Sequence, residues 1–364
     1  MLCLYYTVFY YIDASTLEVY MNLDDLNVIA QRDPKDALSV AAAQPAQASW
    51  AAEVQNVQEN REITSVVVAG MGGSALAAGV VKSWLKLPVP FEVVRQYNLP
   101  SYIDENTLVI ASSYSGNTEE TLSCLDEAEA KGAQVAIISA GGQLIDIAQE
   151  QQYPSVQLPG NYQPRMAVSL NLRALVKLLE QHGLVEGKFD EIAGVADWLS
   201  DVSAQWLADV PTEHNYAKQL AQQAAGKTVI IYSGARMSPI GYKWKIGFNE
   251  NAKNLAFCNE LPEFNHNEFI GWTSHPVEKP FIVFDLISGF EHPQVLQRFA
   301  VSDRLLSGMR PKSIPVELQG ESVIAQMLWG ALLADFVSIY LAILNGVDPT
   351  QVDLIEKLKL ELSN

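Results

Sequence analysis

One short stretch of the sequence concentrates hydroxyl groups around a glycine. It reads Ser-Ser-Tyr-Ser-Gly-Asn-Thr over residues 112–118 and follows Leu108–Ala111, an apolar run typical of a buried strand. Hydroxyls and backbone amides at the end of a parallel strand can hold a phosphate without a cation. A helix cap formed by Asn117 or Thr118 would explain one residue but not the cluster. The pattern therefore predicts a phosphate-binding loop.

A second glycine-rich stretch, Gly70-Met71-Gly72-Gly73-Ser74, follows another apolar run and opens a helical segment. Glycines let a backbone approach a ligand closely, and a helix N-terminus offers free amides to an anion. The same residues fit a loose dinucleotide fingerprint of Gly70, Gly72 and Ala75, or a tight turn without a ligand. On its own this stretch does not separate the three interpretations.

A carboxylate and an imidazole, Glu250 and His266, stand 16 positions apart across a predicted helix-to-loop join. Such a pair suits a general base and a proton shuttle. The alternative is a solvated helix glutamate and a loop histidine satisfied by neighbouring amides. Glu260 and Glu263 compete for the role of base, and periodicity does not rank them.

Charge and composition exclude several classes of function. The sequence of 364 residues has 42 acidic and 24 basic side chains, a net charge of -18 that disfavours nucleic acid and anionic membranes as partners. Its three cysteines are widely spaced, which favours reduced thiols. The five histidines show no close ligand spacing either, so we expect no metal and no other cofactor.

The chemistry-bearing stretches lie in a chain that alternates short β-branched runs with helical segments, the pattern of βαβ units and a parallel sheet. The length favours two domains. We predict a first α/β domain over residues 21–157, connecting helices over 158–226 and a second α/β domain with C-terminal helices over 227–364. Met1–Ile12 is apolar but shorter than the roughly 20 apolar residues that span a bilayer, and we expect a non-native or disordered extension over residues 1–20.

The second domain repeats the first in outline, because Thr228–Tyr232 is again a strand-like run followed by a glycine and a helix. The predicted strands are Ser65–Ala69, Phe91–Arg95, Leu108–Ala111, Val135–Ser139, Thr228–Tyr232, Phe281–Leu286 and Ile314–Leu318. The predicted helices include Ala75–Leu85, Glu119–Lys131, Ala167–Gln181, Ser322–Leu344 and an amphipathic C-terminal stretch, Val352–Leu362.

Three segments together resemble the bifunctional phosphoglucose/phosphomannose isomerase family, which is built on two sugar isomerase (SIS) domains. They are SYSGNT at 113–118, ELPEFNHN at 260–267 and GMGGS at 70–74. The resemblance runs from Met21 to the C-terminus and implies two doubly wound subdomains, each a parallel sheet flanked by helices. Ala75 departs from the family pattern, where many members carry a further glycine.

The resemblance also implies a role for individual residues. Glu250 would move a proton between C1 and C2, His266 would assist ring opening from its own or a neighbouring subunit, and Arg165 would stabilise an enediolate. A surface cation beside a helix is the alternative for Arg165. Lys359 would be the family's C-terminal lysine, with Lys357 as the alternative. The residues that would bind the 6-phosphate are Gly73, Ser74, Ser113, Ser115 and Thr118.

The implied activity is an aldose-ketose isomerisation of glucose 6-phosphate, mannose 6-phosphate or both with fructose 6-phosphate, by a cytoplasmic homodimer. A non-catalytic SIS-domain regulator that binds sugar phosphates is the main alternative, although no helix-turn-helix segment is evident. A glucosamine-6-phosphate synthase would need a glutaminase domain before the first strand. A nucleotide-dependent dehydrogenase would leave SYSGNT unexplained.

Overall fold

The structure, a computed structural model, describes residues 22–58, 61–274 and 280–362 except for the side chain of Lys359. The expected extension over residues 1–20 lies outside this part. The first helices are α1 (Leu26–Arg32) and α2 (Ala37–Ala42), followed by a 3₁₀ segment, Gln44–Ser49.

A parallel sheet of five strands, in the order β2-β1-β3-β4-β5, forms the first α/β unit. Its strands are β1 (Ser65–Gly70), β2 (Phe91–Val94), β3 (Thr107–Ser112), β4 (Gln134–Ser139) and β5 (Ser155–Gln157). The helices that alternate with them are α3 (Gly72–Trp84), α4 (Glu119–Ala130) and α5 (Gly142–Glu150). Every residue of β1, β3 and β4 is buried, as expected for parallel strands covered by helices on both faces.

Helices connect the two sheets. A 3₁₀ turn, Pro164–Met166, leads into α6 (Val168–Gln181), which is followed by α7 (Lys188–Ala193), α8 (Ala196–Ser203) and α9 (Tyr216–Ala224). Two further 3₁₀ turns, Ala204–Trp206 and Thr212–His214, join α8 to α9.

The second sheet has four parallel strands in the order β7-β6-β8-β9, which repeats the order of the first four strands of the first sheet. Its strands are β6 (Thr228–Gly234), β7 (Ala256–Leu261), β8 (Phe281–Ile287) and β9 (Ile314–Glu317). The helices are α10 (Ser238–Glu250), α11 (Glu268–Gly271), α12 (Pro293–Leu305), α13 (Val323–Asn345) and α14 (Asp353–Leu362). Two 3₁₀ turns, Ala235–Met237 and Glu263–His266, complete this unit.

The two faces of the second sheet have different neighbours. Val229 and Ile231 of β6 belong to the large core that also contains α10, α13 and side chains of the first unit. Ile230 and Tyr232 belong to a separate cluster with Phe264. Because successive side chains of a strand point to opposite faces, α10 and the segment around Phe264 lie on opposite sides of this sheet.

Helix α13 is apolar on all sides, and this is the property of a helix at the centre of a core. It is long and apolar enough to cross a membrane, but 94% of its most apolar stretch of 18 residues is buried inside the protein. It is also the only such helix among the residues that the structure describes. One of the residues of α13, Asp335, has a fully buried carboxylate.

The predicted fold class, two α/β units with parallel sheets and flanking helices, is confirmed. The sequence did not predict β5, which has three residues, or β7. The interval between Glu250 and His266 is therefore not a helix-to-loop join, because β7 lies between them. This strand is at the sheet edge and alternates poorly, since its central residues Cys258, Asn259 and Glu260 are half-buried.

Candidate active site

The two predicted phosphate-binding stretches lie side by side, because β1 and β3 are neighbours and Gly70 pairs in register with Ser112. The strand order reverses direction between β1 and β3, the switch point where open parallel sheets bind ligands. Helix α3 begins there after Met71, whose side chain makes no capping hydrogen bond. The first amides of α3 therefore face this crevice without a side-chain cap.

The hydroxyls of residues 113–118 form one connected group. Ser113 Oγ lies 2.6 Å from Thr118 Oγ1 and 3.4 Å from Ser115 Oγ. The amide of Gly116 donates to Ser113 Oγ at 3.2 Å, and the amide of Asn117 donates to Ser115 Oγ at 3.3 Å. Thr118 occupies the N-cap position of α4, but its hydroxyl makes no capping bond. Capping by Thr118 therefore does not explain the cluster.

Gly116 is a glycine for two physical reasons. Its φ of +74° is in the left-handed region, and a Cβ at this position would lie 1.7 Å from the carbonyl oxygen of Gly141. The loop is thus held tightly against the turn that follows β4.

A segment over residues 159–166, here called the strap, links this loop to the rest of the site. Tyr114 Oη donates to Pro159 O at 2.7 Å and accepts from the amide of Tyr162 at 3.0 Å. At the other end, a Cβ on Gly73 would come within 2.6 Å of Pro164 O. Gly73 therefore allows the start of α3 to contact the strap directly. Ser74, in the same turn of α3, is buried.

The strap brings Arg165 to Glu250, the last residue of α10. Arg165 Nη1 lies 3.2 Å from Glu250 Oε2, and the side chain of Glu250 remains 31% exposed while that of Arg165 is 3% exposed. The surface-cation interpretation of Arg165 is therefore wrong. Burial lowers the pKa of Arg165, and the carboxylates of Glu250 and Asp335 partly oppose that shift.

Every N–H of the Arg165 guanidinium has an acceptor. Nε donates to Asn251 Oδ1 at 2.5 Å, and Nη2 donates to the carbonyls of Pro349 and Thr350 at 3.0 and 3.1 Å. Nη1 donates to Gln163 Oε1 at 3.4 Å as well as to Glu250. Only Nη1 therefore has two side chains as its partners, and the other two nitrogens are fixed by Asn251 and the backbone.

A buried ion pair supports the backbone of the strap. Lys243 Nζ lies 2.5 Å from Asp335 Oδ1 and donates to the carbonyl of Arg165 at 2.7 Å. Gln44 Nε2 donates to Asp335 Oδ2 at 2.9 Å. A buried ion pair is tolerated when further hydrogen bonds satisfy its charges. Here the bond from Lys243 to the carbonyl of Arg165 also holds the backbone of that arginine in place.

The side chain of Asn251 is held in turn by helix α13. Its Nδ2 donates to Ser338 Oγ at 2.8 Å, and Ser338 donates to Ala334 O at 2.7 Å. Asn251, Lys243, Asp335 and Ser338 were not predicted as site residues. The signal available in the sequence was the presence of Asp335 and Ser338 inside a largely apolar helix, together with the position of Asn251 directly after Glu250. Lys243 gave no such signal, because α10 also contains Lys245 and Asn249.

His266 is not part of this cluster in its own chain. It is exposed at the end of the 3₁₀ turn Glu263–His266, whose Phe264 packs on the face of the second sheet opposite α10. Glu263 is on the same turn and accepts from Asn267, and Glu260 is on β7. Of the three glutamates considered as a base, the structure brings only Glu250 to Arg165.

The C-terminal helix α14 begins close to Arg165, because the carbonyl of Thr350 is one of the acceptors of that guanidinium. Lys357 is exposed on α14. The side chain of Lys359 lies outside the described residues, so the choice between these lysines stays a prediction. Among the described side chains, no group of three or more His, Cys, Asp or Glu residues is arranged to hold a metal ion.

Comparisons with known proteins agree with these features. A family model for the bacterial phospho-glucose isomerase C-terminal SIS domain matches residues 213–362, and a SIS domain model matches residues 61–152. A bifunctional phosphoglucose/phosphomannose isomerase of Caldicellulosiruptor bescii is 36% identical over 88% of this chain and 96% of its own length. One from Aquifex aeolicus is 32% identical over 82% of this chain and 90% of its own length.

A solved structure of similar fold is the hypothetical protein TT0462 from Thermus thermophilus. It superposes with a TM-score of 0.68 over 96% of this chain and 94% of that chain, at 15% sequence identity. At this identity the likeness concerns the fold alone.

Proposed function

The chain belongs to the bifunctional phosphoglucose/phosphomannose isomerase family, and from that premise we propose how its own residues interconvert aldose and ketose 6-phosphates. The activity is an aldose-ketose isomerisation of glucose 6-phosphate or mannose 6-phosphate with fructose 6-phosphate. The observation that carries the proposal is the contact between Arg165 and Glu250 at 3.2 Å, because Arg165 lies on the strap, which also contacts Tyr114 of the phosphate loop (residues 112–118).

The phosphate of the substrate binds between the hydroxyls of Ser113, Ser115 and Thr118 and the start of α3 at Gly73 and Ser74. The connected hydroxyls and the uncapped amides of α3 support this role. Because the chain is acidic overall, an anion here is held by dipoles rather than by a basic surface. Binding at this remote group positions the reacting carbons near Glu250.

Glu250 acts as the base. Its carboxylate takes the proton from C2 of the open-chain aldose, and the electron pair moves to form an enediolate on C1 and C2. The protonated Glu250 then delivers that proton to C1, while the hydroxyl proton on O2 moves to O1. The partial exposure of this carboxylate leaves an oxygen accessible to a substrate.

Arg165 stabilises the oxyanion that develops on the enediolate. Nη1 is the nitrogen that would face the substrate, because its partners are the side chains of Gln163 and Glu250, which can move. Nε and Nη2 stay bound to Asn251 and the carbonyls of residues 349 and 350. In this role Asn251 is a positioning residue that sets the direction of the guanidinium.

The same chemistry serves glucose and mannose 6-phosphates, which differ only in configuration at C2. Loss of the C2 proton gives both sugars the same planar enediolate. A pocket that admits either configuration therefore produces one ketose from both.

His266 assists ring opening in the site of a neighbouring copy, and the working unit is a homodimer. The sheet between His266 and Glu250 supports this division. The edge strand β7 suits contact with a second copy, since Leu255 directly before it and Phe257 within it are 58% and 50% exposed. We also assign Lys359 of α14 to the site, as the family's C-terminal lysine. We place the protein in the cytoplasm, together with its phosphorylated substrates.

A coupled assay tests the function. Purified protein is given fructose 6-phosphate, and we expect both glucose 6-phosphate and mannose 6-phosphate to form, with no added metal or nucleotide. Binding of fructose 6-phosphate with no turnover, measured by calorimetry beside the assay, would instead favour the non-catalytic regulator.

A further inference from the structure

The two sheets have corresponding strands, because the order β7-β6-β8-β9 repeats the order β2-β1-β3-β4. The turn between β6 and α10 is thus the counterpart of the glycine turn between β1 and α3. The loop after β8 is likewise the counterpart of the phosphate loop after β3.

The two loops share a Ser-Gly pair and differ at the two residues that follow it. After β3 the sequence reads Ser-Gly-Asn-Thr over residues 115–118, and after β8 it reads Ser-Gly-Phe-Glu over residues 288–291. Counted from the shared Ser-Gly pair, Glu291 is at the same interval as Thr118, although the pair begins three residues after β3 and directly after β8. The second loop thus carries a carboxylate at an interval where the first carries a hydroxyl.

The carboxylate of Glu291 occupies the turn opposite it. Glu291 Oε1 accepts from the amide of Met237 at 3.0 Å, and the side chain is 7% exposed. A Cβ on Gly234 would lie only 2.2 Å from Glu291 Cδ, so the glycine at the end of β6 makes room for this group. Burial raises the pKa of Glu291, and hydrogen bonds from the amides of Met237 and Arg236 oppose that shift.

We propose that the second unit contains an anion site of the same kind as the first, and that its permanent ligand is the carboxylate of Glu291. Backbone amides at the start of a helix bind a carboxylate by the same physics as a phosphate. A sugar phosphate is excluded from this position by the filled volume and by like charge. Each chain therefore binds one hexose 6-phosphate although it has two SIS units.

Calorimetric titration with inorganic phosphate tests the proposal. Wild-type protein should bind one phosphate per chain, and Glu291→Ala should bind a second. Glu291→Gln should show no gain, because the amide still fills the position. Glu321→Ala, which removes an exposed carboxylate, is the control for the change in net charge.

A Glu291→Ala protein that is folded by circular dichroism and binds no more phosphate than Glu321→Ala would overturn the proposal. If Glu291→Ala does not fold, the number of phosphates bound by the wild type decides. Two phosphates per chain in the wild type, with one of them lost in Ser115→Ala, would also overturn the proposal. One phosphate per chain, lost in Ser115→Ala, supports it. The inference is separable from the proposed function, because a gain in Glu291→Ala is measurable even if Ser115→Ala leaves phosphate binding unchanged.

Discussion

Glu250 and His266, the two groups proposed for proton transfer, are supported in opposite ways. Glu250 ends α10 beside a buried arginine whose donors are all engaged, and α10 itself packs in the core shared by both units. His266 is exposed on a short turn across the second sheet. On the proposed mechanism, one chain positions the base and the phosphate loop by its own packing, whereas the exposed imidazole acts on the site of a second copy.

The largest effect should come from Glu250→Gln. The amide keeps the shape and loses the basicity, so turnover should fall by about a thousandfold or more while substrate still binds. The measurement is kcat with fructose 6-phosphate. Glu263→Gln, on the exposed turn of His266, is the matched control and should stay close to wild type. Near wild-type turnover in Glu250→Gln would remove Glu250 from the mechanism.

His266→Ala should be the next largest change, with a loss of about a hundredfold in turnover of the ring-closed sugar. If His266 serves the neighbouring subunit, a mixture of His266→Ala and Glu250→Gln proteins regains activity, because one site of each mixed dimer then has both intact groups. Random exchange between equal amounts should restore roughly a quarter of wild-type activity, since half of the dimers are mixed and each has one intact site of two.

The mixing experiment uses subunit exchange confirmed by native mass spectrometry. Exchange without recovery of activity would contradict the sharing of His266 between chains, and a monomeric protein would contradict the homodimer. Either result would contradict the proposal that the face of the second sheet carrying His266 serves a second copy.

Much of the fold was predictable from sequence because the strands that line the site are continuous apolar runs. β1, β3 and β4 are buried at every position, and the predicted strands differ from them only at their ends. The hydroxyl cluster of the phosphate loop was predictable for a local reason, because it follows one of these strands, and its role in phosphate binding stays a prediction. The domain limits, 21–157 and 227–364, stay predictions.

The support of Arg165 was not predictable in the same way. Asn251 and the backbone of residues 349 and 350 contact the guanidinium from distant parts of the chain, and Ser338 holds the side chain of Asn251. No periodicity encodes such contacts, because they depend on how α10 and α13 pack. Strand β7 was missed because an edge strand with polar central residues lacks a clear alternation.

Ser115→Ala should mainly lower the affinity for the phosphorylated substrate. It tests whether the phosphate loop binds the substrate of the site that contains Glu250 and Arg165. A lost hydrogen bond to a charged group is worth roughly 1.5–3 kcal/mol, or about one to two powers of ten in affinity. KM for every hexose 6-phosphate should rise by a similar factor, and inorganic phosphate should inhibit less well. Ser123→Ala, whose hydroxyl bonds to Tyr97 O instead, is the control. Unchanged KM and unchanged inhibition in folded Ser115→Ala would leave the loop as a turn without a ligand.

Asn251→Ala should give the smallest effect, and it tests whether the rigid support of Arg165 matters for catalysis. The change removes the acceptor of Arg165 Nε and the donor to Ser338 Oγ, so the guanidinium keeps only the carbonyls of residues 349 and 350 to fix its direction toward Glu250. We expect about a tenfold fall in kcat with little change in KM, because the phosphate loop is untouched. Asn251→Asp keeps an oxygen for Nε and should recover most of that loss. If Asn251 served stability alone, both variants would lower the melting temperature, while kcat per folded enzyme would stay at the wild-type value. That result would show that Arg165 does not depend on Asn251 for its direction.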